Sequence, residues 1–275
     1  MLLLAATSAA WATGFAPIPG VDDVGALVGK KSERIVLTTD DVKILEPVCV
    51  LVLSYADEKG ARWWLRLQST RLLDRPEYQM AKGTKSLHHY CWGQIYNFRR
   101  LRESDPKKRQ QLAQAAARDY DFVVSNPEYL PKDWPWLAKV HTHIGDMRNA
   151  SEDTAAGITS YQKAISLNPE YDLAYLGLAT LYSDMKDSAK AMETVVEGLR
   201  HRPESMGLKR RYDQLGGRKP YPEPYPKSPP AAPEEPAPAV VKPEPPPPSL
   251  PAPGADAKPS APAAPGKPKY CRFCP

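Results

Sequence analysis

Apolar residues recur at intervals of three and four along most of the chain after Pro76, the spacing that lays one stripe along a helix. Leu87, Tyr90, Cys91, Ile95 and Phe98 predict a helix from about Ser86 to Arg102. Leu112, Ala115, Ala116, Tyr120 and Val123 predict a second from Pro106 to Val124, stopped by Asn126-Pro127. Proline suits the first turn there, because its missing N–H has no intrahelical acceptor to lose. Upstream the pattern is less regular. Thr39-Asp40-Asp41 reads as a capping signal before Val42, Leu45, Cys49 and Val52, with Pro47 interrupting the period. Val48 to Leu53 also reads as a strand, paired through Asp57 to Gly60 with Trp63-Trp64-Leu65, so residues 38–85 are mixed or helical. Residues 13–37 are irregular, broken by Pro17, Pro19, Gly20, Gly25 and Gly29.

Further along, the pattern repeats. Pro169 and Pro203 lie 34 positions apart, and Ile144-Gly145 matches Leu178-Ala179, Gly157 matches Ala191, Tyr161 matches Val195 and Ala164 matches Gly198 without a gap. Each unit reads as two antiparallel helices. The second unit carries Tyr175, Leu178, Ala179, Tyr182, Ala191, Val195, Gly198 and Pro203; the first carries His141, Ile144, Gly145, Gly157, Tyr161, Ala164 and Pro169. These residues resemble the tetratricopeptide repeat motif, with Arg148 and His141 standing where that motif has a Tyr and a large aromatic. Small residues at Gly145 or Ala179 and at Gly157 or Ala191 let the two helices of a unit approach closely. A degenerate unit opens at Tyr90, Trp92, Gly93 and Tyr96 and closes at Ala116, Tyr120 and Val123, with about ten extra residues around Arg99 to Arg109. Glu204 to Leu215 reads as the polar terminal helix that such an array needs, ended by Gly216-Gly217.

The fold class expected is therefore all-α: a solenoid of helix-turn-helix pairs over residues 86–217, with units at 86–127, 138–171 and 172–205 and a capping helix at 204–216. What the resemblance implies for function is binding of an extended or helical peptide on the concave face formed by the first helix of each unit. Carried over by position, the lining would be Gln94, Asn97, Lys139, Thr142, Asp146, Asn149, Leu173, Leu176, Thr180, Ser183 and Asp184. The set is polar and mixed in charge, and it lacks the Lys and Asn pattern with which some family members clamp a C-terminal carboxylate. The segment Leu87-His88-His89-Tyr90-Cys91-Trp92 also resembles a stretch in small exported bacterial repeat proteins.

Composition adds a boundary. Of 31 prolines, 21 fall between Pro220 and Pro275, in a stretch with almost no large apolar residue, which reads as a disordered Pro/Ala-rich spacer over 218–275. Charge splits there too. The chain has 37 Lys or Arg and 32 Asp or Glu; the tail takes 8 and 5 of them, leaving 29 against 27 before it. A nearly neutral body disfavours a nucleic-acid partner. Residues 1–12, ending in Ala10-Trp11-Ala12, read as the apolar region and cleavage site of a secretory signal peptide, without a basic residue ahead of them. Twelve residues fall short of the ~20 needed for a membrane span. A periplasmic or secreted location follows as an expectation.

Four cysteines fit that compartment. Cys49 and Cys91 are candidates for one disulfide or for two small buried apolar side chains. Cys271 and Cys274 form a terminal C-x-x-C with no helix to activate a thiol and no further ligands for zinc, so a local disulfide or free thiols is expected. No phosphate loop, nucleophile elbow or His-Glu-x-x-His pair occurs. The histidine pairs His88 with His89 and His141 with His143 are one and two positions apart, which puts their members on different helical faces. No metal, cofactor or catalytic residue is therefore expected, although an enzyme or metal-dependent protein using the N-terminal region with His88 and His89 is an alternative, as is a structural protein of the cell envelope. Arg99, Arg100, Arg102, Lys107, Lys108 and Arg109 form the densest basic cluster, and Trp63, Trp64, Trp92, Trp134 and Trp136 the densest aromatic content. The first reads as a solvated helix end or as a patch for an acidic partner or an anionic lipid or polysaccharide surface, the second as core, or as a sugar or peptide site where several stand exposed together.

Overall fold

Thr38 begins the helical part of the chain: its hydroxyl accepts from the Asp41 N–H at 3.2 Å while the Asp41 carboxylate accepts from the Thr38 N–H at 2.9 Å. This reciprocal cap starts α1 (Thr39–Ile44), one residue earlier than the sequence pattern placed it. In the computed structural model, residues 25–29, 31–32, 35–55 and 63–226 are described, within one compact unit up to Tyr225. Residues 1–12, expected from the sequence to be a leader, Cys271, Cys274 and the residues beyond Pro226 lie outside the described residues. Ahead of α1, Lys31–Ser32 (β1) pairs antiparallel with Ile35–Val36 (β2).

The Val48 to Leu53 run is not a strand. It forms α2 (Pro47–Tyr55), and α3 (Trp63–Gln68) occupies the place of its supposed partner strand. The physical reason is burial on every side: Val48 through Leu53 are all buried, so the run needs no polar face and its periodicity carries no signal. Pro47 sits at the helix start, where its missing N–H costs nothing. Two short 3₁₀ segments, Arg71–Asp74 and Pro76–Ala81, lead into α4 (Leu87–Arg102). Cys49 of α2 and Cys91 of α4 are joined by a disulfide.

Helices then follow in pairs: α4 with α5 (Pro106–Ser125), α6 (Leu137–Ala150) with α7 (Thr154–Leu167), and α8 (Asp172–Asp184) with α9 (Ser188–His201), closed by α10 (Met206–Gln214). Successive pairs stack, and α6 lies beside α8. The molecule is thus all-α and solenoid-like. The extra residues around Arg99 to Arg109 are not a looped insertion. They lengthen α4 and α5 to 16 and 20 residues, leaving only Glu103 to Asp105 between them. Asp105 caps α5 by accepting from the Lys107 and Lys108 N–H groups.

The core has two characters. From Leu27 to Met147 one continuous cluster gathers residues of α1, α2, α4, α5 and α6, including the fully buried Trp92, Tyr78, Tyr90 and Tyr120. From α6 onward the apolar contacts break into three small clusters between neighbouring helices, such as Tyr175, Ala179, Val195, Leu199 and Leu208. After Gly217 the chain turns back: the Tyr225 N–H donates to the Arg200 carbonyl of α9 at 2.9 Å and its hydroxyl to Glu197 at 2.8 Å. The boundary of the folded part therefore lies at least eight residues beyond the Gly217 expected from composition.

Candidate functional site

Tyr161 of α7 lies between α6 and α8 and forms the floor of a groove of about 570 Å³. Two glycines make room for it: a Cβ at Gly145 would stand 2.8 Å from the ring, and one at Gly177 would overlap it. The Tyr161 hydroxyl donates to Asp146 at 2.6 Å, and burial together with that carboxylate pushes the phenol far above its ordinary value. Asp146, Asn149 and Thr142 line one wall from α6; Leu173, Leu176 and Thr180 line the other from α8. Leu173 is 53% exposed, an aliphatic side chain held open to solvent. Tyr171 completes the far end, with its hydroxyl pushed up to about 12 by burial and by Asp146. Arg100 reaches in from α4; burial, offset in part by Asp146, holds its guanidinium below its ordinary value.

Beside the groove, the structure gathers a second polar group that crosses three elements. Glu46, between α1 and α2, accepts from Lys139 Nζ at 2.8 and 2.9 Å, from Gln94 Nε2 at 2.6 Å and from the Tyr90 hydroxyl at 3.0 Å. Burial opposes the charge on Glu46, but Lys139 and the two neutral donors outweigh it, so the carboxyl lies below its ordinary value. Tyr90 Oη is 3.4 Å from His143 Nε2, and His143 Nδ1 is 3.8 Å from Asp146, which links this cluster to the groove wall. Lys139 Nζ also stands over the Tyr90 and Trp136 rings at 5.5 and 6.0 Å.

Of the eleven residues expected on the concave face, six line the groove: Thr142, Asp146, Asn149, Leu173, Leu176 and Thr180. Gln94 and Lys139 are held by Glu46, and Asn97 is occupied in accepting from Arg100 at 2.9 and 3.1 Å. Ser183 accepts from Arg211 of α10 at 2.7 Å, and Asp184 is an exposed residue at the end of α8. Arg100, His143, Tyr161 and Tyr171 also line the groove. Tyr161 had a signal, its place in the repeat, but read as packing only. Glu46 had none, since its partner Lys139 is 93 positions away.

His89 is fully buried, with Nδ1 2.9 Å from Asp119 and its ring stacked on Phe122 at 3.9 Å; His88 is 2% exposed. Among the described residues no group of three or more His, Cys, Asp or Glu is placed to hold a metal. The basic cluster is dispersed: Arg99 donates to the buried Asp41 at 2.6 Å and to the Val36 carbonyl at 2.7 Å, and Arg102 pairs with Asp40 at 3.2 Å. Trp92 and Trp134 are core residues, the latter donating to the Met80 carbonyl, whereas the Trp63 and Trp64 side chains lie outside the description. Among the described residues no helix is long and apolar enough to cross a membrane. Compared with models of known protein families and with curated protein sequences, the chain matches none.

Proposed function

We propose that the protein is a non-enzymatic scaffold of the tetratricopeptide type, exported to the periplasm or beyond, that holds a peptide or protein segment in the groove between α6 and α8. The observation that carries this reading is the groove's lining: side chains from two successive helical pairs converge on one trough and offer a carboxylate, an amide, hydroxyls, a guanidinium and an exposed leucine together. Such a mixture suits a peptide, whose backbone needs both donors and acceptors and whose side chains need apolar contact. The 34-residue offset of α7 and α9 supports the family reading, and the Cys49–Cys91 disulfide supports an oxidising compartment. A groove built from two pairs is short, so modest affinity is expected.

A photo-crosslinking residue placed at Leu173 or Thr180 in the native cell tests the groove, with Glu193 of α9, outside it, as the comparison site. The expected result is a discrete adduct from the two groove sites, weakened by Asp146→Ala with Asn149→Ala. Adducts of equal yield from Glu193, or none from the groove, would count against the concave face as the binding surface.

A further inference from the structure

A second hollow, of about 540 Å³, opens on another face of α6, where the end of α5, the Pro127–Pro131 link and the end of α7 meet. Its walls are aliphatic, with Leu130, Leu137 and the 39%-exposed Leu167 among them. Its polar side chains are Lys132, Lys163 and His141; among the described residues no carboxylate, amide or hydroxyl side chain lines it. Among the described residues neither lysine's ammonium group has a hydrogen-bond or ion-pair partner, although the Lys163 carbonyl accepts from the Ser166 hydroxyl. A trough of this size is within the ordinary range for a small-molecule pocket, and it pairs an apolar wall with positive charge that nothing among the described residues neutralises.

We propose that this hollow binds a single-chain alkyl carboxylate, the chain against Leu130, Leu137 and Leu167 and the carboxylate between Lys132 and Lys163. Charge selects the head: two ammonium groups favour an anion, and a cationic or neutral head would leave both unpaired. The lining selects an alkyl chain over a peptide. A peptide's N–H groups need acceptors, and among the described residues the lining's side chains offer one imidazole nitrogen as an acceptor. His141 is kept neutral by burial and by Lys163, so its ring N–H supplies a third donor without adding charge.

Titration of the full-length protein with octanoate, decanoate and dodecanoate, each below its micellar range, tests this. Saturable binding of one equivalent is expected, tightening by about fourfold per methylene and weakening about tenfold in Lys132→Gln with Lys163→Gln. The His141 ring, followed by NMR, should titrate higher in the complex, because a carboxylate beside it favours the imidazolium. Leu167→Glu, at a 39%-exposed position at the end of α7, should abolish binding. The proposal is overturned if dodecyltrimethylammonium or dodecanol binds as tightly, if neither the lysine nor the Leu167 variants weaken dodecanoate, or if an apolar peptide displaces it and binds more strongly.

Discussion

Tyr161 shows how one residue sets both the packing and the groove. Its ring fills the slot between Gly145 and Gly177, and its hydroxyl anchors Asp146. Gly177→Ala forces the ring aside where neither helix can give, and a loss of about 1–3 kcal/mol in urea unfolding is expected. Two ionisable residues should separate by pH. Glu46 lies below its ordinary value in the folded protein, so its contribution is fully present above that value of 4.5 and fades as pH falls through the lower folded one. Glu46→Gln should therefore flatten the acid limb of a Tm-against-pH curve. His141 is lowered from 6.5 to about 4, so the unfolded chain takes up its proton first and stability declines as pH falls from 6.5 towards 4. His141→Gln should remove that earlier decline, on the order of 1–2 kcal/mol after solvent screening, and leave the lower limb in place. A single decline unaffected by either substitution would contradict both assignments.

At the scale of elements, the paired helices were legible because their signals are local. The helices α7 and α9 are each 14 residues long and start 34 positions apart, capped by Asp153 and Asp187, which accept from Ala156 and Lys190 N–H. The turns before them repeat too, with Glu152 and Lys186 both at positive φ, 68° and 64°. The sequence pattern left α2 open between helix and strand because a helix buried all round has no polar stripe to count. It missed the Glu46 cluster because contacts spanning 44 to 93 positions leave no spacing to read. The disulfide between α2 and α4 stood open for the same reason: composition made it allowable, and only the fold brings Cys49 and Cys91 to a Cα separation of 5.3 Å. Closing a loop of 42 positions removes enough unfolded-chain entropy to stabilise by about 4 kcal/mol. Cys49→Ser with Cys91→Ser should lose that amount. In hydrogen exchange the loss should fall on α1, α2 and α4, which share the large core cluster, while α8 to α10 keep their protection.

Across the whole molecule the two halves should respond differently to damage. The N-terminal half shares one core from Leu27 to Met147, whereas from α6 onward each small cluster ties a helix only to its neighbours. An array of the second kind is stabilised pair by pair, so its last element matters most to the element next to it. That last element is α10 with the returning segment of residues 218–226. Leu208 of α10 is fully buried against α8 and α9, and Arg211 donates to Ser183. Beyond it, Tyr225 is held by the Arg200 carbonyl and the Glu197 carboxylate, with its ring 4.8 Å from that of His201, and the Tyr221 hydroxyl donates to Asp213 at 3.3 Å. These bonds are half open to solvent, Tyr225 being 42% exposed, so each contributes about 0.5–1.5 kcal/mol at most. Ending the chain after Gly217 should therefore cost about 1–2 kcal/mol, read as faster amide exchange in α9 and α10. Protection in α4 and α5 should be unchanged, because no contact of the returning segment reaches them among the described residues. Loosening that spread evenly from α10 to α4 would mean that the helical pairs unfold as one unit, and that the division of the core into separate clusters has no energetic counterpart.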